Sequence, residues 1–214
     1  MTTRILIADD HAIVREGLRR ILAADSAFVV TGEASDANEV IAAVRAGGFE
    51  VLLLDLSMPG RSGIELVKRV KEERPALRVL VLSMHAEQQY AVRAIQAGAS
   101  GYLTKDTASA ALSDAIRKIA SGGLFITPAV AEALALGLQS AEVELPHKRL
   151  TDREFEIFIL LAGGESVTGI AERLSLSVKT ASTHKTNILD KMKLGSIAEL
   201  VRYAIEHNLL DSHT

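Results

Sequence analysis

The chain has no cysteine, which excludes disulfides and thiolate metal sites and suits a reducing compartment. No apolar run approaches the ~20 residues that a membrane span needs. The opening residues, Met1-Thr2-Thr3-Arg4-Ile5-Leu6-Ile7-Ala8-Asp9-Asp10, meet acids too early for a secretory signal, so a cytoplasmic location is expected. A basic surplus is missing as well. The formal net charge is −3, and residues 147–214 hold 9 Lys+Arg against 9 Asp+Glu. A broadly basic nucleic-acid domain is therefore excluded, and any DNA contact must come from a local surface. Internal repeats and low-complexity tracts are also lacking.

What is present suits two modest domains, because 214 residues with 48% hydrophobic content can build more than one core. Short apolar, β-branched runs alternate five times with amphipathic segments, the pattern of βα units around a parallel sheet buried on both faces. The expected strands are Arg4 to Ala8, Phe28 to Glu33, Val51 to Asp55, Arg78 to Ser83 and Gly101 to Leu103. Helices are expected at Ala12 to Ala24, Asn38 to Ala46, Gly63 to Glu73, Glu87 to Ala97 and Ser109 to Ser121. The first of two units is thus an α/β, doubly wound five-stranded parallel sheet spanning residues 1–121.

A linker over 122–147 follows, with a helix near 128–138 opened by Pro128 and a tether at Gln139 to Lys148 that lacks apolar periodicity. Residues 148–214 read as a small all-α domain of four short helices. Thr151 with Glu154, and Ser196 with Glu199, have the spacing of capping boxes, while Ser166 and Ser177 are candidate caps for the middle pair. The turn around Ser175 to Ser177 has the length found between the paired helices of a helix-turn-helix.

In an open α/β sheet, chemistry gathers at the carboxyl ends of the strands. Asp9-Asp10, Asp55, Ser83 and Lys105 fall at or just beyond such ends. An aspartyl carboxylate can attack phosphorus, provided that cations offset its repulsion with phosphate oxygens. Mg²⁺ prefers oxygen ligands and keeps several waters, which suits Asp10, Asp55, a main-chain carbonyl near Ser57, and Asp9 orienting a bound water. Lys105 supplies a point charge and Ser83 a hydroxyl donor for phosphoryl oxygens. A turnover phosphatase is a competing reading, weakened because Asp55-Leu56-Ser57 has no second acid two residues on to protonate a leaving group. A receiver-like module that ignores phosphate is a third.

These residues, with Met58-Pro59-Gly60, resemble the receiver domain of bacterial response regulators. The resemblance implies that Asp55 takes phosphate from a sensor histidine kinase or a small phosphodonor. It also implies that Ser83 moves toward the phosphoryl group while Tyr102 turns inward, changing the surface around the fourth helix and fifth strand. Many receivers have Pro after the lysine, whereas this chain has Asp106. His11 and His85 fall near the same rim, but the imidazole that donates phosphate in this family belongs to the kinase.

Val178 to Met192 is the candidate reading helix for a major groove. At 100° per residue, Val178, Ala181, Ile188, Leu189 and Met192 form an apolar stripe expected to pack on the preceding helices. Lys179, Ser182, Thr183 and Thr186 occupy the opposite face, and Lys185 reaches phosphate only by snorkelling along the flank. Asp190 confines close approach to the N-terminal half.

Leu150-Thr151-Asp152-Arg153-Glu154, Ile170-Ala171-Glu172-Arg173-Leu174 and Thr180 to Ile188 resemble the LuxR-type helix-turn-helix, and with the receiver in front the whole chain resembles NarL/FixJ-type response regulators. The expectation is a regulator, not an enzyme, in which phosphorylation of Asp55 with Mg²⁺ controls homodimerisation and binding to double-stranded DNA. Ile197 to His207 is a candidate dimer surface in that family, and no membrane partner is expected.

Overall fold

The computed structural model describes residues 2–58, 63–83, 88–139, 145–207 and 209–210. Five strands, β1 (Thr3–Ala8), β2 (Phe28–Ala34), β3 (Val51–Asp55), β4 (Arg78–Ser83) and β5 (Gly101–Thr104), form one sheet in the order β2-β1-β3-β4-β5. Every neighbouring pair is parallel. This doubly wound order places its switch point between β1 and β3, where ligands collect outside the strand ends.

Alternation along the strands divides the core. Ile5, Ile7, Val51, Leu53, Leu80 and Leu82 pack with α1 (Ala12–Ala23) and α5 (Lys105–Ala120). Leu6, Leu52, Leu54, Val79 and Val81 face the other way, onto α2 (Ala37–Ala46), α3 (Gly63–Glu73) and α4 (Gln88–Gln96). Full burial on both faces explains why these strands read as unbroken apolar runs. Gly63 lets α3 start close beneath the site, since a Cβ there would lie 2.4 Å from the Leu56 Cα.

The start of α5 differs from the sequence expectation. Strand β5 runs to Thr104, and the helix begins at Lys105 rather than Ser109. Asp106 lies in the first turn, where a carboxylate meets the positive end of the helix dipole. Lys105-Asp106-Thr107 has no apolar periodicity, so from sequence it reads as a loop.

Beyond α6 (Pro128–Gln139), residues 140–144 of the expected tether lie outside the described residues, and Pro146–Arg149 form a single 3-10 turn. The last four helices are α7 (Asp152–Ala162), α8 (Val167–Arg173), α9 (Val178–Met192) and α10 (Ile197–Glu206). Thr151 and Glu154 close a reciprocal capping box on α7. Ser166 and Ser177 cap α8 and α9 through the Gly169 and Thr180 amides. Ser196 caps α10, but Glu199 turns its carboxylate to the Gly195 N–H instead of completing the box. Among the described residues no helix is long and apolar enough to cross a membrane.

The helical C-terminal region docks on α3 and α4. The apolar cluster that contains Leu52 and Val81 continues through Tyr90 and Ala94 to Phe155, Phe158 and Leu200 without interruption. The rings of Tyr90 and Phe155 meet edge to face at 5.3 Å, and the Arg93 guanidinium lies 4.1 Å from the Phe155 ring centroid. Arg93 also donates to Asp152 and to the carbonyls of Leu150 and His147, at 3.2, 3.0 and 2.9 Å. Lys68 of α3 reaches the same Asp152 at 2.6 Å.

Candidate phosphoacceptor site and DNA-reading helix

Asp55 ends the central strand β3 and is 1% exposed. Asp9 follows β1 and is equally buried, while Asp10 keeps part of its carboxylate at the surface. From the start of α5, Lys105 reaches inward so that its Nζ lies 2.7 Å from Asp9 Oδ2 and 2.9 Å from Asp55 Oδ2. One ammonium thus bridges two buried carboxylates from different strands.

Short main-chain contacts hold the acids in place. The Ser57 N–H donates to Asp55 Oδ1 at 3.2 Å, and the His11 N–H donates to Asp9 Oδ1 at 2.8 Å. Arg15 of α1 donates to the Asp9 carbonyl at 2.6 Å and pairs with Glu33 at the end of β2. Ser83 is fully buried at the end of β4, paired in register with Thr104. Tyr102 is also buried.

The electrostatics follow from burial. Removal from water raises the Asp55 pKa above the ordinary carboxylate range, and the Asp9 charge adds to the rise while Lys105 opposes it. For Lys105, burial acts downward, but Asp55 and Asp9 together outweigh it and hold the ammonium pKa above its usual value. Three carboxyl side chains, Asp9, Asp10 and Asp55, thus share the pocket with one lysine.

The residues fit a divalent cation. Asp9, Asp10, Asp55 and His11 each offer a ligand atom, all within 4.8 Å of one another. Asp10 Oδ1 and Asp55 Oδ2 are buried and accept no well-directed hydrogen bond, although His11 and Lys105 respectively lie at ion-pair distance. Of the residues singled out from sequence, Asp9, Asp10, Asp55 and Lys105 come together, with Ser57 contributing its N–H. Pro59, Gly60 and His85 lie outside the described residues.

On α9, Ala181, Ile188 and Met192 are buried and Leu189 half-buried, while Lys179, Ser182, Thr183 and Thr186 are exposed. Lys185 is half-buried on the flank. Val178 departs from the expected stripe, for it is 50% exposed. It is the first residue of the helix, projecting past the neighbours that cover Ala181 one turn later. The outward face stays open with the C-terminal region docked, because docking uses the N-terminal end of α7 instead.

The sequence matches the family model for the response regulator receiver domain over residues 5–117, and that for bacterial regulatory proteins of the luxR family over residues 148–204. The chain belongs to the response regulators. The response regulator UvrY of Escherichia coli O6:H1 is 34% identical over 211 residues, covering 98% of this chain and 97% of UvrY. The response regulator GacA of Pseudomonas viridiflava is 33% identical over 210 residues, covering 98% of each chain. The RcsB response regulator of Salmonella typhimurium superposes with a TM-score of 0.69 at 29% identity, covering 96% of this chain and 98% of RcsB. RcsB bound to the promoter rprA in the presence of phosphomimetic BeF3⁻ gives 0.65 at 30%, covering 95% and 98%.

As a response regulator with a LuxR-type domain, the chain is a DNA-binding transcription regulator. Three of its structural features are not evident from sequence. His11 turns its ring into the acidic pocket, with only its adjacency to Asp10 as a signal. Arg93 joins the two regions, although its partner lies 59 residues away. His147 is buried, its Nδ1 2.8 Å from the Tyr203 hydroxyl and its Nε2 without a hydrogen-bond partner among the described residues. Burial lowers its pKa to about 4, assisted by His207, Arg93 and Lys148.

Proposed function

We propose that Asp55 is the phosphoacceptor and that its phosphorylation governs how the chain pairs with itself and with double-stranded DNA. A carboxylate oxygen of Asp55 forms the new bond to phosphorus as the donor bond breaks. From a phosphohistidine the bonding pair leaves with the imidazole nitrogen, which then takes a proton from solvent; from acetyl phosphate it leaves with acetate. The observation that carries this reading is the Lys105 bridge, which presents an ammonium where phosphoryl oxygens would arrive. Asp9, Asp10 and Asp55 would hold Mg²⁺, with the carbonyl near Ser57 completing the set; when bound, the cation neutralises phosphoryl oxygens and draws them toward the nucleophile.

Transmission runs along the fourth strand. Ser83 ends β4 and would bond a phosphoryl oxygen, and Tyr102 lies on the next strand in register with Val81. The helix after β4 carries Tyr90 and Arg93, which hold α7. A shift of α4 as Ser83 moves toward a phosphoryl group on Asp55 loosens that hold and lets two copies pair, a population shift between docked and released arrangements. Lys179, Ser182, Thr183 and Thr186 would enter the major groove, with Lys185 on a flanking phosphate. RcsB dimers bound to DNA offer the parallel. Residues 1–121 then act as the receiver, 122–147 as the linker and 148–214 as the DNA-binding domain.

The test supplies Mg²⁺ and acetyl phosphate to the full chain and records intact mass and promoter-DNA retention. One phosphoryl mass increase, lost in Asp55→Asn, with a change in retention, supports the reading. An unmodified wild-type mass refutes it. Continuous release of phosphate from small phosphoesters would favour the phosphatase reading instead.

A further inference from the structure

The pocket beside Asp55 is not lined by oxygen alone. His11 Nδ1 lies 2.8 Å from Asp10 Oδ1 and 3.4 Å from Asp9 Oδ1. With an oxygen of Asp55, the four ligand atoms fall within 4.8 Å of one another. An octahedral cation with bonds of about 2.1 Å has adjacent ligands about 3.0 Å apart. The imidazole nitrogen stands within a few tenths of an ångström of that spacing from one oxygen of each of these two acids.

We propose that His11 Nδ1 is a direct ligand of the cation at this site, which makes the pocket a mixed nitrogen and oxygen site selective for a borderline dication such as Mn²⁺ over Mg²⁺. The inference rests on the reading of Asp55 as a phosphoacceptor with a cation beside it. Mg²⁺ binds oxygen and gives up water reluctantly, so an imidazole adds little to its affinity. Imidazole suits first-row transition ions, whose bond to nitrogen more than replaces a lost water.

Three observations support the assignment. Asp10 Oδ1 and Asp55 Oδ2 are buried oxygens without well-directed hydrogen bonds, as expected where a cation completes their coordination. The His11 N–H is tied to Asp9 Oδ1 at 2.8 Å, which fixes the ring's point of attachment relative to the acids. The His11 side chain is 63% exposed, so its pairing with Asp10 in water contributes little on its own and the ring has no packing role. In the ligating form the Nδ1 lone pair faces the cation and the ring proton sits on Nε2, toward solvent.

Direct nitrogen ligation has a spectroscopic signature. Mn²⁺ is titrated into the full chain carrying ¹⁵N-histidine, electron spin echo modulation is recorded, and Mg²⁺ affinity is obtained by competition. The wild type should show modulation from a directly bound imidazole nitrogen, absent in His11→Gln. The same variant should lose roughly tenfold in Mn²⁺ affinity and less than about twofold in Mg²⁺ affinity. Because the ring is exposed, the variant should keep its melting temperature. Bound Mn²⁺ without nitrogen modulation, or equal Mn²⁺ affinity in the variant, overturns the His11 assignment and leaves the phosphoacceptor reading intact. Failure of both cations to bind overturns the two together.

Discussion

Arg93 and Asp152 face each other across the junction of α4 and α7 at 3.2 Å, both largely removed from solvent. Arg93→Ala removes this pair, two bonds to carbonyls and the stacking on Phe155, leaving Asp152 to Lys68 alone. Loss of one partner of a buried pair costs roughly 3 to 5 kcal/mol. The expected result is a larger radius of gyration in solution scattering and faster proteolysis between residues 139 and 146, with the fold of each region kept. Unchanged scattering would show that apolar contact through Tyr90 suffices for docking.

Asp55→Asn should raise the melting temperature at neutral pH while abolishing phosphorylation. Burial holds the Asp55 pKa above its ordinary 3.8, so the folded state binds this proton more tightly than the unfolded chain. That contribution is fully present below pH 3.8 and is lost as pH rises through the folded value. Once ionised, the buried carboxylate therefore detracts from stability, and the neutral amide relieves that cost. A lower melting temperature for Asp55→Asn would mean that the Lys105 bridge outweighs desolvation.

His147 makes the junction acid-sensitive. Its pKa is lowered from 6.5 to about 4, so the fold favours the neutral ring. Its contribution is complete above pH 6.5 and is lost as pH falls toward 4. His207 just past α10, Lys148 in the 3-10 turn and Arg93 on α4 all disfavour a proton there. The melting temperature should fall across this window and fall less steeply in His147→Gln. Parallel pH profiles for the two proteins would assign the acid loss to other groups.

On α9, Val178→Ala and Ile188→Ala should separate cleanly in urea unfolding. Val178 is exposed, so its truncation should cost within about 0.5 kcal/mol. Ile188 is fully buried, and its truncation should cost roughly 2 to 5 kcal/mol. Equal losses would return Val178 to the core.

The sheet was readable because each strand is buried on both faces and so appears as an unbroken apolar run. The cluster of Asp9, Asp10, Asp55 and Lys105 was readable because parallel strands bring their carboxyl ends to one rim. What sequence could not supply depends on side-chain direction or distant partners. Periodicity places Val178 on the apolar stripe, but the stripe outruns its covering helices by one residue. Lys105 begins a helix because Thr104 ends the strand in extended geometry, which no periodic signal marks. Arg93 sits in an ordinary amphipathic pattern, and only the docked α7 reveals its role.

Because successive side chains of β3 point to opposite sides, adjacent leucines serve different masters. Leu53 supports the layer of α1 and α5, whereas Leu52 and Leu54 support the layer that carries α4 and, through Phe155, the C-terminal helices. Evolution can thus retune the two layers through neighbouring codons, with little interference between them.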